Sequence, residues 1–227
     1  MNLVAHFYLD QHHPEPLFAV GAATPDLLSI YNNGIRLKQR NLRYLSPEQT
    51  AAIPPAILAG LNRHFFADGI FHTSELFHRL TKRVSNMLVE YFPQLKVERK
   101  FFVGHILLEL LLDKVLINRH AGILTEYYDH YAELQPFTEI RVALETALGK
   151  PVPNYEEYLS RFLDKRWLYA YADYEHIVWI LARILQRVRL RDLRYLHSQD
   201  FTRLMSDFEV ELIEVHEQFF TEIRAAE

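Results

Sequence analysis

The stretch ILAGLNRHFFADGIFHTSELFHRLTKRV, residues 57–84, decides how this chain is read. Within it His64, Asp68 and His72 stand at i, i+4 and i+8. A helical residue advances about 100° per step, so each step of four drifts only about 40°. The three side chains therefore form one ridge, each within reach of the next. The segment FFVGHILLELLLDKVLINRH, residues 101–120, repeats the arrangement with His105, Glu109 and Asp113. Two helices carrying matching stripes of nitrogen and oxygen donors would, facing each other, supply the ligands of a metal site.

On either side of these ridges the chain reads as helices. Leu3–Leu9 is short and apolar around His6, either a strand or the first turn of a helix. Asp26, just after Pro25, marks the start of a helical turn, where the helix dipole favours a carboxylate. Residues 31–46 carry Arg36, Lys38, Arg40 and Arg43 and read as a surface loop or short helix. SPEQ at 46–49 has the capping-box pattern. Pro93 separates residues 73–92 from the second ridge helix, Val97 to about Arg119. Leu124–Leu148 is an aromatic-rich helical run broken at Pro136, and GKPVPNYEEY at 149–158 is a loop. Tyr155–Trp167, Tyr174 to about Val188 and Asp200–Arg224 complete the helices. Only 7 glycines and few alternating β-branched runs leave little room for a sheet. The expectation is an all-α fold, a single compact helical bundle over residues 1–227.

The composition narrows the chemistry. Hydrophobic residues make up 49% of the 227 and charged residues 24%, the profile of a globular chain with a substantial core. There is no cysteine, so a metal would be held by His, Asp or Glu. No apolar run approaches the roughly 18 residues of a membrane span. The N-terminal stretch lacks the basic start of a secretory signal, and a cytoplasmic protein is expected. A net charge of -4 argues against a general nucleic-acid binder.

A lone histidine on an apolar helix is usually a hydrogen-bonded core or surface residue. His12, His13, His120, His130, His197 and His216 are assigned to the surface on that ground. The two ridges are different, because His105, Glu109 and Asp113 interrupt a Leu/Ile helix where ionisable groups are costly to bury unless paired or metal-bound. The competing reading is a buried polar network, for example Glu109 paired with Arg63 or Lys114. The run RILQRVRLRDLR, 183–194, sets Arg183, Arg187, Arg189, Arg191 and Arg194 against the single Asp192. Such runs are mostly solvated, but this one would suit an acidic partner or a phosphate. The acidic C-terminal helix (Asp207, Glu209, Glu211, Glu214, Glu217) reads as a solvated face or as the neutralising neighbour of that basic run.

With those residues in view, the chain resembles the acyl carrier protein phosphodiesterases, relatives of the HD-type metal-dependent phosphohydrolases. MNLVAHFYL is similar to that family's MNFLAH opening, and GAATPDLL sits where the family has a short Gly…Asp segment. GLNRHFFADGIFH resembles its G-I-x-x-H-R-x-I-D-x-x-T-D helix. HILLELLLDKVLINRH falls where it has D-x-x-x-D-H-F-L, and RWLYAYADYEHIVWIL is similar to its W-L-x-x-Y-x-D-x-x-x-I stretch. The motifs follow the family's order across most of the chain, though none is long. GAATPDLL also resembles an element of the zinc-dependent phospholipase C-like proteins, and both likenesses put Asp26 near metal.

The resemblance implies an HD-like helical fold and a metal-dependent hydrolase of lipid metabolism. Its substrate would be holo-acyl carrier protein, cleaved at the phosphodiester between serine and phosphopantetheine. The metal would be Mn²⁺, with Zn²⁺, Fe²⁺ or Mg²⁺ as alternatives. His6, Asp26, His64, Asp68 and Asp113 carry over as candidate ligands, and spacing adds His72, His105 and Glu109. Asp68 or Asp113 would take the proton of the attacking water, and Arg63 or Lys114 would steady charge on the phosphoryl group. The acidic carrier protein would dock on the arginines at 183–194 or the cations at 36–43. The departures are specific. His72 and Glu109 replace aspartates of the family pattern, and Lys114 replaces the histidine of its Asp-His pair. An ammonium has no lone pair for a metal. Hydrolysis of another phosphoester, or a non-catalytic binding protein on the same scaffold, are the rival expectations.

Overall fold

A computed structural model describes residues 1–32, 34–94, 97–190 and 193–227. The fold is all-α, and among the described residues there is no strand. None of the described helices is long and apolar enough to cross a membrane. Contacts group the chain into two units, residues 1–69 with 122–167 and residues 70–121 with 168–227.

The first unit is built around α1 (Leu3–Leu9), in which every residue is buried. The expectation for this segment was open between strand and helix, and it is a helix. A seven-residue helix enclosed on all sides carries His6 into the interior with it. Helix α2 (Pro16–Tyr31) begins with proline at its first turn, where the missing N–H costs nothing. It runs unbroken through Pro25, so Asp26 lies inside a helix and does not start one. The short helices α3 (Gln39–Arg43) and α4 (Pro47–Ala52) follow, and Ser46 caps α4 in the anticipated capping box. Helix α5 (Pro55–Thr73) belongs to this unit up to Gly69. It meets α2 at two glycines: a Cβ on Gly21 would lie 2.6 Å from the Ile57 carbonyl oxygen. A Cβ on Gly60 would lie 2.1 Å from that of Phe18. The absence of side chains at both positions lets the two backbones touch.

Helices α8 (Ile123–Ala132), α9 (Thr138–Leu148) and α10 (Tyr155–Lys165) close the unit. Pro136 divides α8 from α9 as its position in the sequence suggests. The core here is aromatic, with Tyr127, Tyr128, Tyr131, Tyr155 and Phe162 all within 2% of full burial. Tyr127 stacks on Tyr131 at 5.1 Å and meets Phe7 of α1 edge-on at 5.2 Å. Such rings dominate core energetics through area and add ~0.5–1.5 kcal/mol per well-oriented pair.

In the second unit α6 (Glu75–Tyr91) packs along α7 (Lys100–Arg119). Ser74 caps α6 by accepting from the Phe77 backbone N–H at 3.1 Å. Gly104 lets α7 approach the Thr81 carbonyl closely. The leucines 107, 108, 110, 111, 112 and 116 of α7 are all essentially buried, each contributing about 1.5–3 kcal/mol. A 3₁₀ turn (Trp167–Ala172), which ends the run expected to reach Trp167 as α-helix, leads to α11 (Tyr174–Arg187). The last helix, α12 (Gln199–Ala225), packs on α6 and α7.

Candidate metal centres

In the first unit, three helices bring four of the expected ligands together. His6 comes from α1, Asp26 from α2, and His64 and Asp68 from α5. The rings of His6 and His64 stack at 4.2 Å. His6 Nε2 lies 3.2 Å from Asp68 Oδ1 and 4.0 Å from Asp26 Oδ2, and His64 Nε2 lies 3.6 Å from Asp68 Oδ2. One donor atom each from His6, Asp26 and His64 falls within 4.8 Å of the others. Both histidines are buried, while the two carboxylates keep about a quarter of their side-chain surface exposed.

The protonation of His64 is fixed by its surroundings. Its Nδ1 stands 2.8 Å from the Ala22 carbonyl oxygen, which can only accept, so Nδ1 carries the hydrogen. Burial, reinforced by the neighbouring His6, pushes the ring's pKa down to about 3. The ring is therefore neutral near pH 7, and Nε2 presents a lone pair on the side of Asp68. Two lone-pair bearers held 3.6 Å apart repel unless positive charge lies between or beside them. A carbonyl-anchored imidazole offering its other nitrogen is how protein histidines are oriented toward metals. Burial alone would raise the Asp68 carboxyl. The Met1 ammonium, 2.7 Å from Oδ1, and His6 more than reverse this and hold it well below the ordinary carboxylate value.

In the second unit His72, His105 and Glu109 form another group. His72 Nε2 lies 3.0 Å and His105 Nε2 3.2 Å from the same oxygen, Glu109 Oε1. Arg63 and Lys114, the cations offered as partners for Glu109, each hold another carboxylate. Arg63 is clamped in two-pronged fashion by Asp10, at 2.8 and 3.0 Å. Lys114 donates to Glu209 at 2.8 Å beneath the ring of Tyr174. Asp113 is fully buried in α7.

One surface assignment is corrected. His216 is buried, and its Nδ1 donates to the Ile213 carbonyl at 2.8 Å. His120 is half-buried and joins His216 and Glu217 in a third group of possible donors. The signal for His216 was in the sequence: it continues the 3.6-residue apolar stripe Phe208, Leu212, Phe219 and Ile223. Glu209 likewise departs from the solvated face expected of α12, being buried against Lys114. Of the arginines expected to meet a partner, Arg183, Arg187, Arg189 and Arg194 are exposed, and Arg191 lies outside the described residues. Arg183 sits over the exposed ring of Trp179 at 4.9 Å. Comparison of the chain with family models, with curated protein sequences and with solved structures returns no match.

Proposed function

We propose that the protein is a metal-dependent phosphodiesterase whose centre is formed by His6, Asp26, His64 and Asp68. The observation that carries this reading is His64: a buried neutral imidazole, anchored through Nδ1, holding a lone pair against a carboxylate. Two imidazoles and two carboxylates with no thiolate suit Mn²⁺, Zn²⁺ or Fe²⁺. When bound, such an ion would supply Lewis acidity toward a phosphoryl oxygen and acidify water at neutral pH. His6 and His64 are held in register by stacking, so little reorganisation is needed to present their nitrogens. Asp68 remains a carboxylate and would accept a proton from water. Arg63 and Lys114, expected to steady phosphoryl charge, are each already paired with a carboxylate.

The resemblance to acyl carrier protein phosphodiesterases supplies the substrate: the phosphopantetheine–serine diester of holo-acyl carrier protein. The exposed Arg183 and Arg187 on α11 would receive that acidic protein. The reading is tested by release of phosphopantetheine from holo-acyl carrier protein, beside a small aryl phosphodiester, with Mn²⁺ or Zn²⁺ and with chelator. Metal-dependent release from the carrier protein supports the full proposal. Cleavage of the small diester alone keeps the chemistry and moves the substrate. One observation favours a second reading, a non-catalytic polar network: the Met1 ammonium already neutralises Asp68 at 2.7 Å. Absence of hydrolysis of either substrate would favour that network.

A further inference from the structure

Helix spacing and packing place three donors at one point in the second unit. His105 and Glu109 are one turn apart on α7, and His72 lies in the last turn of α5, beyond Gly69. Both imidazoles reach a single oxygen, Glu109 Oε1, at 3.0 and 3.2 Å. Two ligand atoms bound about 2.1 Å from one ion lie about 3.0 Å apart in octahedral geometry and about 3.4 Å apart in tetrahedral geometry. The two separations to Glu109 match these edges, and one donor atom from each of the three residues lies within 4.8 Å of the others, so the group can close on one ion.

The surroundings fix the rings. Phe77 meets His72 edge-on at 5.1 Å and His105 at 4.9 Å, and the Ser74 cap anchors Phe77 itself. The site is nonetheless reachable, since the side chains of His72, His105 and Glu109 keep 30%, 28% and 14% of their surface exposed. Two imidazoles and one carboxylate select a transition ion over Mg²⁺ or Ca²⁺, and three protein ligands leave coordination positions open.

We infer that His72, His105 and Glu109 form a second site for a divalent transition-metal ion of the zinc and iron(II) class. Its three donor residues all belong to the second unit, and the assignment stands independently of the phosphodiesterase reading. Its open positions make it a place where water or a substrate oxygen binds.

Cobalt(II) is the probe, because the position and intensity of its visible d–d bands change when protein ligands replace water. Chelator-stripped full-length protein carrying His64→Ala, which disables the first centre, is titrated with Co²⁺. One equivalent should bind with visible absorption, and addition of Zn²⁺ should displace it. Adding His105→Ala or His72→Gln should weaken that binding more than about 100-fold, beyond the loss typical of an outer-shell change. Circular dichroism should stay unchanged, both histidines being partly exposed. Wild-type protein titrated in parallel provides a check that does not depend on how His64→Ala folds. Its stoichiometry should fall by one ion with His105→Ala. An unchanged wild-type stoichiometry after His105→Ala and His72→Gln would overturn the assignment, as would silence of the folded His64→Ala protein toward Co²⁺.

Discussion

Replacing Gly60 with alanine sets two physical effects against each other. In an exposed helix interior the change stabilises by roughly 1 kcal/mol, because alanine is the better helix former. At Gly60 the new Cβ would lie 2.1 Å from the Phe18 carbonyl oxygen and 2.8 Å from the Ala22 nitrogen. Relief to an ordinary ~3.5 Å contact requires α2 and α5 to part by about 1.4 Å. That displacement carries the Ala22 carbonyl out of reach of His64 Nδ1, now 2.8 Å away. Overpacking costs about 1–3 kcal/mol and a broken buried hydrogen bond about the same again. Against the propensity gain, the net is a loss of roughly 1–5 kcal/mol. The unfolding midpoint should fall by roughly 2–20 °C in calorimetry. Gly69, in the same helix, is the control: nothing lies within 4 Å of its Cβ position. Gly69→Ala should raise stability by about 0.5–1 kcal/mol. If Gly60→Ala proved as stable as wild type, the close glycine contact that positions His64 and Asp26 would be refuted.

Other consequences follow from the same geometry. Burial depresses the His64 pKa to about 3, below the roughly 6.5 of the unfolded chain, so only the unfolded state takes up its proton between those values. The stabilisation is full above about pH 6.5 and lost as pH falls toward 3. Metal-free protein should lose about 2 kcal/mol between pH 8 and pH 5, and His64→Gln should flatten that slope in denaturant titrations. Lys114 and Glu209 are 7% and 8% exposed, so Lys114→Ala should cost about 3–5 kcal/mol by leaving a buried carboxylate unpaired. The double variant Lys114→Met/Glu209→Gln should recover most of that loss, and a double variant as unstable as the single one would count against the pair. If α11 receives an acidic carrier protein, Arg183→Glu/Arg187→Glu should lower its affinity about tenfold at low salt and reduce the salt dependence. Unchanged binding in a calorimetric titration would return those arginines to solvent.

The helices were legible because their cues are local. Apolar periodicity gave α7 and α12, prolines placed the breaks at residues 93 and 136, and SPEQ marked the cap of α4. The i, i+4 ridge joined His64 to Asp68 correctly and His105 to Glu109 correctly. Its other partners were beyond periodicity. His6 and Asp26 arrive from separate helices, and only the family likeness had marked them. The contact that brings Asp26 close depends on Gly21 and Gly60 facing each other, which no pattern within either helix reveals. Arg63 and Lys114 looked available for chemistry because their partners, Asp10 and Glu209, lie 53 and 95 residues away. Pro25 misled in the other direction: a proline suggested a helix start, yet α2 absorbs it and continues to Tyr31. His216 was the readable signal left unread, a histidine on an otherwise apolar stripe.

The most direct test of the first centre is thermal unfolding of the His105→Ala protein, in which the second site is disabled, with and without Mn²⁺ or Zn²⁺. A ligand that binds only the folded state stabilises by mass action, about 2.7 kcal/mol at a hundredfold excess over Kd. A metal-binding centre should give a metal-dependent rise of several degrees, abolished by adding His64→Ala or Asp26→Asn. No rise with either metal, combined with a large loss of stability in Asp68→Ala, would contradict it and leave the cluster a polar network closed by the Met1 ammonium.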